Sequence, residues 1–190
     1  MGVHRRVEME VRHFDFSGPT GGIAEGVTDV AIVRPPFATA VEQVVIGSER
    51  RFVVLPADHR LGRRDSVPFH QLLEEPWMTA NTDATWCAFW RGDAYRREPA
   101  PAGAECTSFD ELFEAARAHR AIGMVPESAV RSSAWPGLSF VPIEDVEPSL
   151  VVVAWRADEQ RALVRKFVSV AAEIRPTSLN GSVEEPAAVG

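Results

Sequence analysis

The sequence predicts an α/β fold on mixed, mainly parallel sheets, and three observations carry that expectation. Short apolar runs alternate with stretches of helical periodicity along most of the 190 residues. Several runs, among them Thr28–Val33 and Leu150–Trp155, are nearly continuously apolar, which is the pattern of strands covered on both faces. A polar, turn-rich passage, Pro56–Pro68, then divides the chain into two lobes.

Each element follows from its local pattern. Val7–Phe14 alternates apolar and polar residues and reads as a strand with one wetter face. Ser17–Gly26 opens with Ser and Pro and closes on Gly, the punctuation of a short helix. Thr28–Val33 is the next strand, and it ends on Arg34, followed by Pro35 and Pro36. Val41–Ile46 and Arg51–Leu55 are two further apolar runs. Beyond the polar passage, Val67–Glu75 reads as a short helix, Pro76–Ala80 as a strand, and Thr85–Tyr95 as a helix carrying Trp86, Phe89 and Trp90. A proline-rich loop and a short strand ending at Cys106 come next. The helix from Ser108 is opened by a capping box, with Ser108 and Glu111 at the S-x-x-E spacing. Ala121–Glu127 is a buried strand stopped by Pro126, and Leu138–Ile143 and Leu150–Trp155 are strands. Asp158–Ile174 is the strongest amphipathic helix, with Leu163, Phe167, Val170 and Ile174 on one stripe. The small, polar tail from Pro176 predicts disorder.

Composition narrows the function. A formal charge of −7 and a pI near 5.3 disfavour a nucleic-acid surface, which needs clustered cations to displace counterions. Two cysteines without a C-x-x-C spacing read as buried, reduced thiols, and the five histidines show no metal-ligand spacing. No cofactor or metal is expected. The N-terminus lacks an apolar signal region and no apolar run is long enough to span a bilayer, so a cytoplasmic protein without membrane contact is expected. There is no G-x-S-x-G, H-E-x-x-H or P-loop, and Asp58 beside His59 has no serine placed to complete a relay. No catalytic residue is assigned.

The polar residues of interest share one address. Ligands of open parallel α/β sheets sit beyond the carboxyl ends of strands, where loops and helix N-termini converge. Applied here, that rule selects Phe16, Ser17 and Gly18 after the first strand, and Arg34 with Pro35 after the second. It also selects Asn81, Thr82 and Asp83 after the strand at Pro76–Ala80, and Thr107 and Ser108 after the strand ending at Cys106. Thr107, Ser108, Thr82 and Asp83 read equally as helix caps, and Asp29 and Glu42 are local acids that compete for Arg34. Caps explain hydroxyls but not an arginine held by prolines at the same rim. Arg34 is therefore expected to meet an anion in a cleft.

These residues carry a resemblance. The runs GIAEGVTDVAIVRPP, VVLPADHRLGRRDSVPFHQLLEEPW, TSFDELFEAARAHRAIGMVPESAV and GLSFVPIEDVEPSLVVVAW resemble the effector-binding region of LysR-type transcriptional regulators, over roughly Val7–Ile174. The V-L-P-x-x-H-x-L passage and the G-M-V-P-E strand end are the most specific in combination. The resemblance implies a two-lobed fold of the type-2 periplasmic-binding-protein kind. Lobe I would hold residues 1–52 and 141–175, lobe II residues 53–140, and the tail residues 176–190. Crossover strands fall near Arg51–Pro56 and Ser139–Pro142, with a small organic, anionic effector between the lobes against the strand-end residues named above. It also implies that DNA is reached only through a helix-turn-helix; a homo-oligomer is expected because a sheet lacking its first strand leaves unpaired edges along Val7–Phe14 or Asp29–Val33. That helix-turn-helix, and the first strand and helix of the sensor lobe, have no counterpart in this sequence, in which Met1 sits just before what resembles the second strand. A free-standing binding protein or transport receptor of the same fold is the alternative.

Overall fold

The computed structural model describes residues 7–131 and 135–173 and the pair Thr177–Ser178. The described strands are β1 (Ala31–Val33), β2 (Glu42–Glu49), β3 (Arg51–Pro56), β4 (Trp77–Thr79), β5 (Ala102–Glu105), β6 (Gly123–Pro126), β7 (Leu138–Pro142), β8 (Ser149–Trp155) and β9 (Thr177–Ser178). The helices are α1 (Ala84–Arg91), α2 (Phe109–Arg117), α3 (Glu127–Arg131) and α4 (Ala162–Glu173), with single 3-10 turns at Phe69–Leu72 and Asp93–Tyr95. One sheet has the order β1-β8-β2-β9, a second β6-β3-β7, and β4 pairs with β5. Trp77 also bridges Ile122, which ties the β4–β5 pair to the β6 side of the second sheet.

Only Arg50 separates β2 from β3, yet the two strands lie in different sheets, so the chain passes from one sheet to the other at that residue. It returns between β7 and β8. The two strands that the resemblance makes crossovers, β3 and β7, lie side by side, with Val53 opposite Val141.

The sheets are mixed, but the balance differs from the expected parallel majority. β8 runs antiparallel to both β1 and β2, and β3 runs antiparallel to both β6 and β7. Parallel ladders join β4 to β5 and β2 to β9. Connection length does not decide the antiparallel pairs, since all four of those ladders join strands far apart in sequence. Parallel neighbours need a long crossover, usually helical. Helical crossovers lead from β4 through α1 to β5, and from β5 through α2 to the Ile122 bridge, and both pairings are parallel.

Five local expectations also change. Val7–Phe14 pairs with no strand, and Val7, Met9 and Val11 are exposed, because a period-two pattern fixes a face but does not supply a partner. Ser17–Gly26 forms successive turns instead of a helix: Gly21 and Gly22 sit at φ +63° and +79°, conformations that end a right-handed helix. At Gly22 a Cβ would lie 2.6 Å from the Phe14 ring, so the position needs glycine for space as well. Ile32 is 63% exposed, so β1 is open on one face. The α4 stripe faces outward: Leu163 and Val170 are 55% exposed, while Val164 and Ala171 are the residues it buries. Ile174 lies outside the described residues. Within the tail expected to be disordered, Thr177 and Ser178 pair with Gly47 and Ser48, and the rest of the tail lies outside the described residues.

The core is uneven. The second sheet, α1 and α2 enclose Val53, Val54, Leu55, Trp77, Leu112, Phe113 and Met124, whereas the cluster on the first sheet is Val33, Val152 and Ala154. Arg51 is sealed into the larger core at 1% exposure. Its guanidinium donates to the carbonyls of Glu147 (2.6 Å) and Phe89 (3.1 Å) and to the Tyr95 hydroxyl (3.0 Å), and lies 4.2 Å over the Phe89 ring. Burial pulls its pKa below the ordinary arginine value.

Candidate functional site

Where the chain changes sheets, charged side chains lock the two together. Arg34, at the end of β1, donates from Nε to Glu49 at the end of β2 at 2.9 Å, its Nη2 lies in ion-pair contact with the same carboxylate at 2.9 Å, and Nη2 donates to Ser128 on α3 at 3.0 Å. Ser128 in turn donates to Glu49. The Glu49 side chain is almost fully buried, so this pair neutralises a charge that would otherwise be costly in the interior. Beside it, Glu127 accepts from Arg50 at 2.9 Å and from Arg131 at 2.7 Å. The bond from Arg50 holds the Glu127 carboxyl below its ordinary pKa.

The loops after β4 and β5 lie together because those strands are parallel neighbours, Cys106 N–H donating to the Thr79 carbonyl at 2.8 Å. Asp83 caps α1, its carboxylate accepting from the N–H groups of Thr85 and Trp86. Its other oxygen accepts from Ala38 N–H at 2.7 Å, which ties the segment after β1 to this loop. Ser108 caps α2 by accepting from Glu111 N–H. The return arm of the capping box is displaced by one residue, since the Glu111 carboxylate accepts from the N–H and hydroxyl of Thr107. Phe16 N–H donates to the Thr107 carbonyl at 3.0 Å, pinning the N-terminal segment to the same loop.

A hollow of about 1320 Å³ opens beside these groups, bounded by β1, α4 and the extended N-terminal segment on one side and by an aromatic wall on the other. Of the residues selected from sequence, Phe16, Gly18, Arg34 and Ser108 line it. Ser17, Pro35, Asn81, Thr82, Asp83 and Thr107 do not: Ser17 turns to Asp15, and Asp83 and Thr107 are engaged in the loop bonds just described. Arg34 meets neither Asp29 nor Glu42. Its partner, Glu49, and Ser128 were missed because pairing across fifteen and ninety-four residues leaves no local trace. Trp86, Trp90 and Phe113 also line the hollow, and in the sequence they are indistinguishable from core residues on amphipathic helices.

The thiols offer no nucleophile here. Cys87 and Cys106 are free and buried, and burial pushes the Cys106 thiol up to about 11 and raises Cys87 as well. No group of three His, Cys, Asp or Glu among the described residues is placed to hold a metal ion. No helix among them is long and apolar enough to cross a membrane.

Two sheets joined through Arg50, with a hollow beside the ion pairs that tie them, make up a two-lobed α/β fold. The chain belongs to the LysR substrate-binding domain family, whose model matches residues 1–175, and it is an effector-sensing regulatory domain of that type. Solved structures agree in fold. The reduced OxyR regulatory domain from Pseudomonas aeruginosa is similar at TM-score 0.60 and 22% identity, covering 80% of this chain and 76% of that one. The BenM effector-binding domain with its effector benzoate gives 0.61 and 21%, covering 82% and 72%. The Synechocystis PCC6803 CcmR regulatory domain in complex with 2-PG gives 0.63 and 15%, covering 84% and 79%. Against full-length BenM the match spans 52% of that chain. No curated protein matches the sequence.

Proposed function

We propose that the domain senses a small organic anion held between its lobes, with Arg34, Ser108 and Ser128 at the polar end of the hollow. The observation that carries this reading is that those three side chains, after β1, at the start of α2 and on α3, all line one hollow large enough for a small molecule. Nε and Nη2 of Arg34 are committed to Glu49 and Ser128, which leaves Nη1 to meet a carboxylate. The start of α2 adds a favourable dipole. Since Arg34 joins β1 to α3, an anion drawing on its charge would loosen or re-form the hinge contact and so report occupancy as a change in lobe geometry.

The solved relatives support the ligand class: one holds benzoate and another 2-PG. In this reading lobe I comprises residues 1–52 and 141–175 and lobe II residues 53–140. The domain is cytoplasmic and non-catalytic, self-associates, and reaches DNA only through a helix-turn-helix outside the described residues. Thermal-shift screening of small aromatic and aliphatic carboxylates tests the proposal. A concentration-dependent rise in melting temperature is the expected result, and a flat response across the panel at millimolar concentration would sink it.

A further inference from the structure

We infer that two copies of this chain exchange N-terminal arms, Val7–Phe14 of each adding as a strand to the open edge of β1 in the other. The inference rests on the self-association named above and says which surfaces perform it. It draws nothing from the anion, so the two readings fail separately.

The arm has the pattern of a strand and none of its contacts. Val7, Met9 and Val11 recur at period two, which sets three apolar side chains on one face of an extended segment. Every residue from Val7 to His13 is exposed, and the arm joins no ladder among the described residues. It is fastened at its base, where Phe16, 4% exposed, donates its N–H to the Thr107 carbonyl. β1 has the converse deficit. It pairs with β8 on one side, and its other edge carries no ladder among the described residues. Ile32 on β1 and Leu163, Phe167 and Val170 on α4 are exposed apolar side chains bordering the same hollow as the arm.

That hollow, at about 1320 Å³, exceeds the roughly 300–1,000 Å³ of an ordinary small-molecule site. A small anion at Arg34, Ser108 and Ser128 therefore leaves part of it unfilled. An added strand meets the unpaired N–H and C=O groups of the β1 edge and sets an apolar face against Ile32 and the α4 stripe. A second copy fits better than a foreign strand, because each chain supplies one unpaired strand and one unpaired edge. Reciprocal exchange about a two-fold axis uses both, and the assembly closes at two. Charge agrees, since Glu8 of the arm and Lys166 of α4 border the hollow and neither has an ion-pair partner among the described residues.

The test is disulfide trapping between two forms of the full 190-residue chain, one tagged and carrying Met9→Cys, the other carrying Ile32→Cys. Cys87 and Cys106 are buried and stay out of the reaction. Val7→Cys and Val11→Cys, on the same face of the arm, cover a shift of register. Mild oxidation of the mixture is expected to give a crosslinked heterodimer in excess of the crosslinking by either form alone. Ile32→Lys is expected to weaken dimerisation by roughly tenfold or more in sedimentation velocity, because it places a charge on an apolar edge, and removal of residues 1–13 to abolish it. Ile32→Cys crosslinking to itself as readily as to the arm, or a crosslink within one chain carrying both cysteines, overturns the exchange. So does association unchanged by Ile32→Lys and by removal of the arm, or no crosslink from any of the three arm positions. A monomer at every concentration overturns the exchange and the self-association together, and leaves the anion reading standing.

Discussion

At the scale of single residues, two buried charges solve the same problem differently. Arg51 has no carboxylate; it spends its donors on two carbonyls and a phenol and stacks on Phe89, so its charge is stabilised by dipoles and a ring face. Arg51→Met removes those bonds while keeping apolar bulk, and leaves buried acceptors unmet at about 1–3 kcal/mol each. A lowered urea midpoint with an unchanged m-value is expected. Glu127 instead lies between Arg50 and Arg131. Its folded pKa is depressed below the ordinary glutamate value, so its contribution to stability is present above that ordinary value and is lost as pH falls through the depressed one. Glu127→Gln is therefore expected to lower stability at pH 7 and to flatten the acid limb of the stability curve below about pH 4.5, as read by thermal melting across pH. An acid limb identical to wild type would remove Glu127 from that account. Of such residues the sequence revealed Arg34 by its prolines, but not that Glu49 would meet it.

Among the elements, what was legible was whatever local chemistry decides. The starts of α1 and α2 stand where Asp83 and Ser108 cap them, and Gly92, at φ +69°, ends α1. Patterns whose meaning depends on a distant partner were not legible. The alternation in Val7–Phe14 is real but has no ladder to join among the described residues, and the apolar stripe of α4 borders the open hollow. β1 is the edge of its sheet, with exposed Ile32, close to the exposed Leu163 and Phe167 that border the same hollow. An unpaired edge beside apolar side chains favours association between chains. Sedimentation velocity is expected to show a concentration-dependent rise in mean sedimentation coefficient, and Phe167→Lys to reduce it. A monomer at every concentration would contradict this.

Across the whole molecule, the two-lobed α/β class followed from alternation and the polar passage, because those are averages over many residues. The parallel majority did not follow, because strand direction depends on which sheet each strand joins, and that is settled by tertiary packing. The result is a molecule with one large core and one thin one, joined at Arg50 and pinned by Arg34, Glu49 and Ser128. In the proposed reading, a ligand that draws on Arg34 changes this contact and lets the thinly packed side shift against the well-packed one. The central claim is that Arg34 reads the effector's charge, and calorimetry on the best-binding carboxylate tests it most directly. The account predicts that Arg34→Met weakens that carboxylate by roughly ten- to a hundredfold, the loss of one charge-assisted bond, while Arg34→Lys retains part of the affinity. Equal affinity in wild type and Arg34→Met would contradict it and leave Arg34 as a structural partner of Glu49.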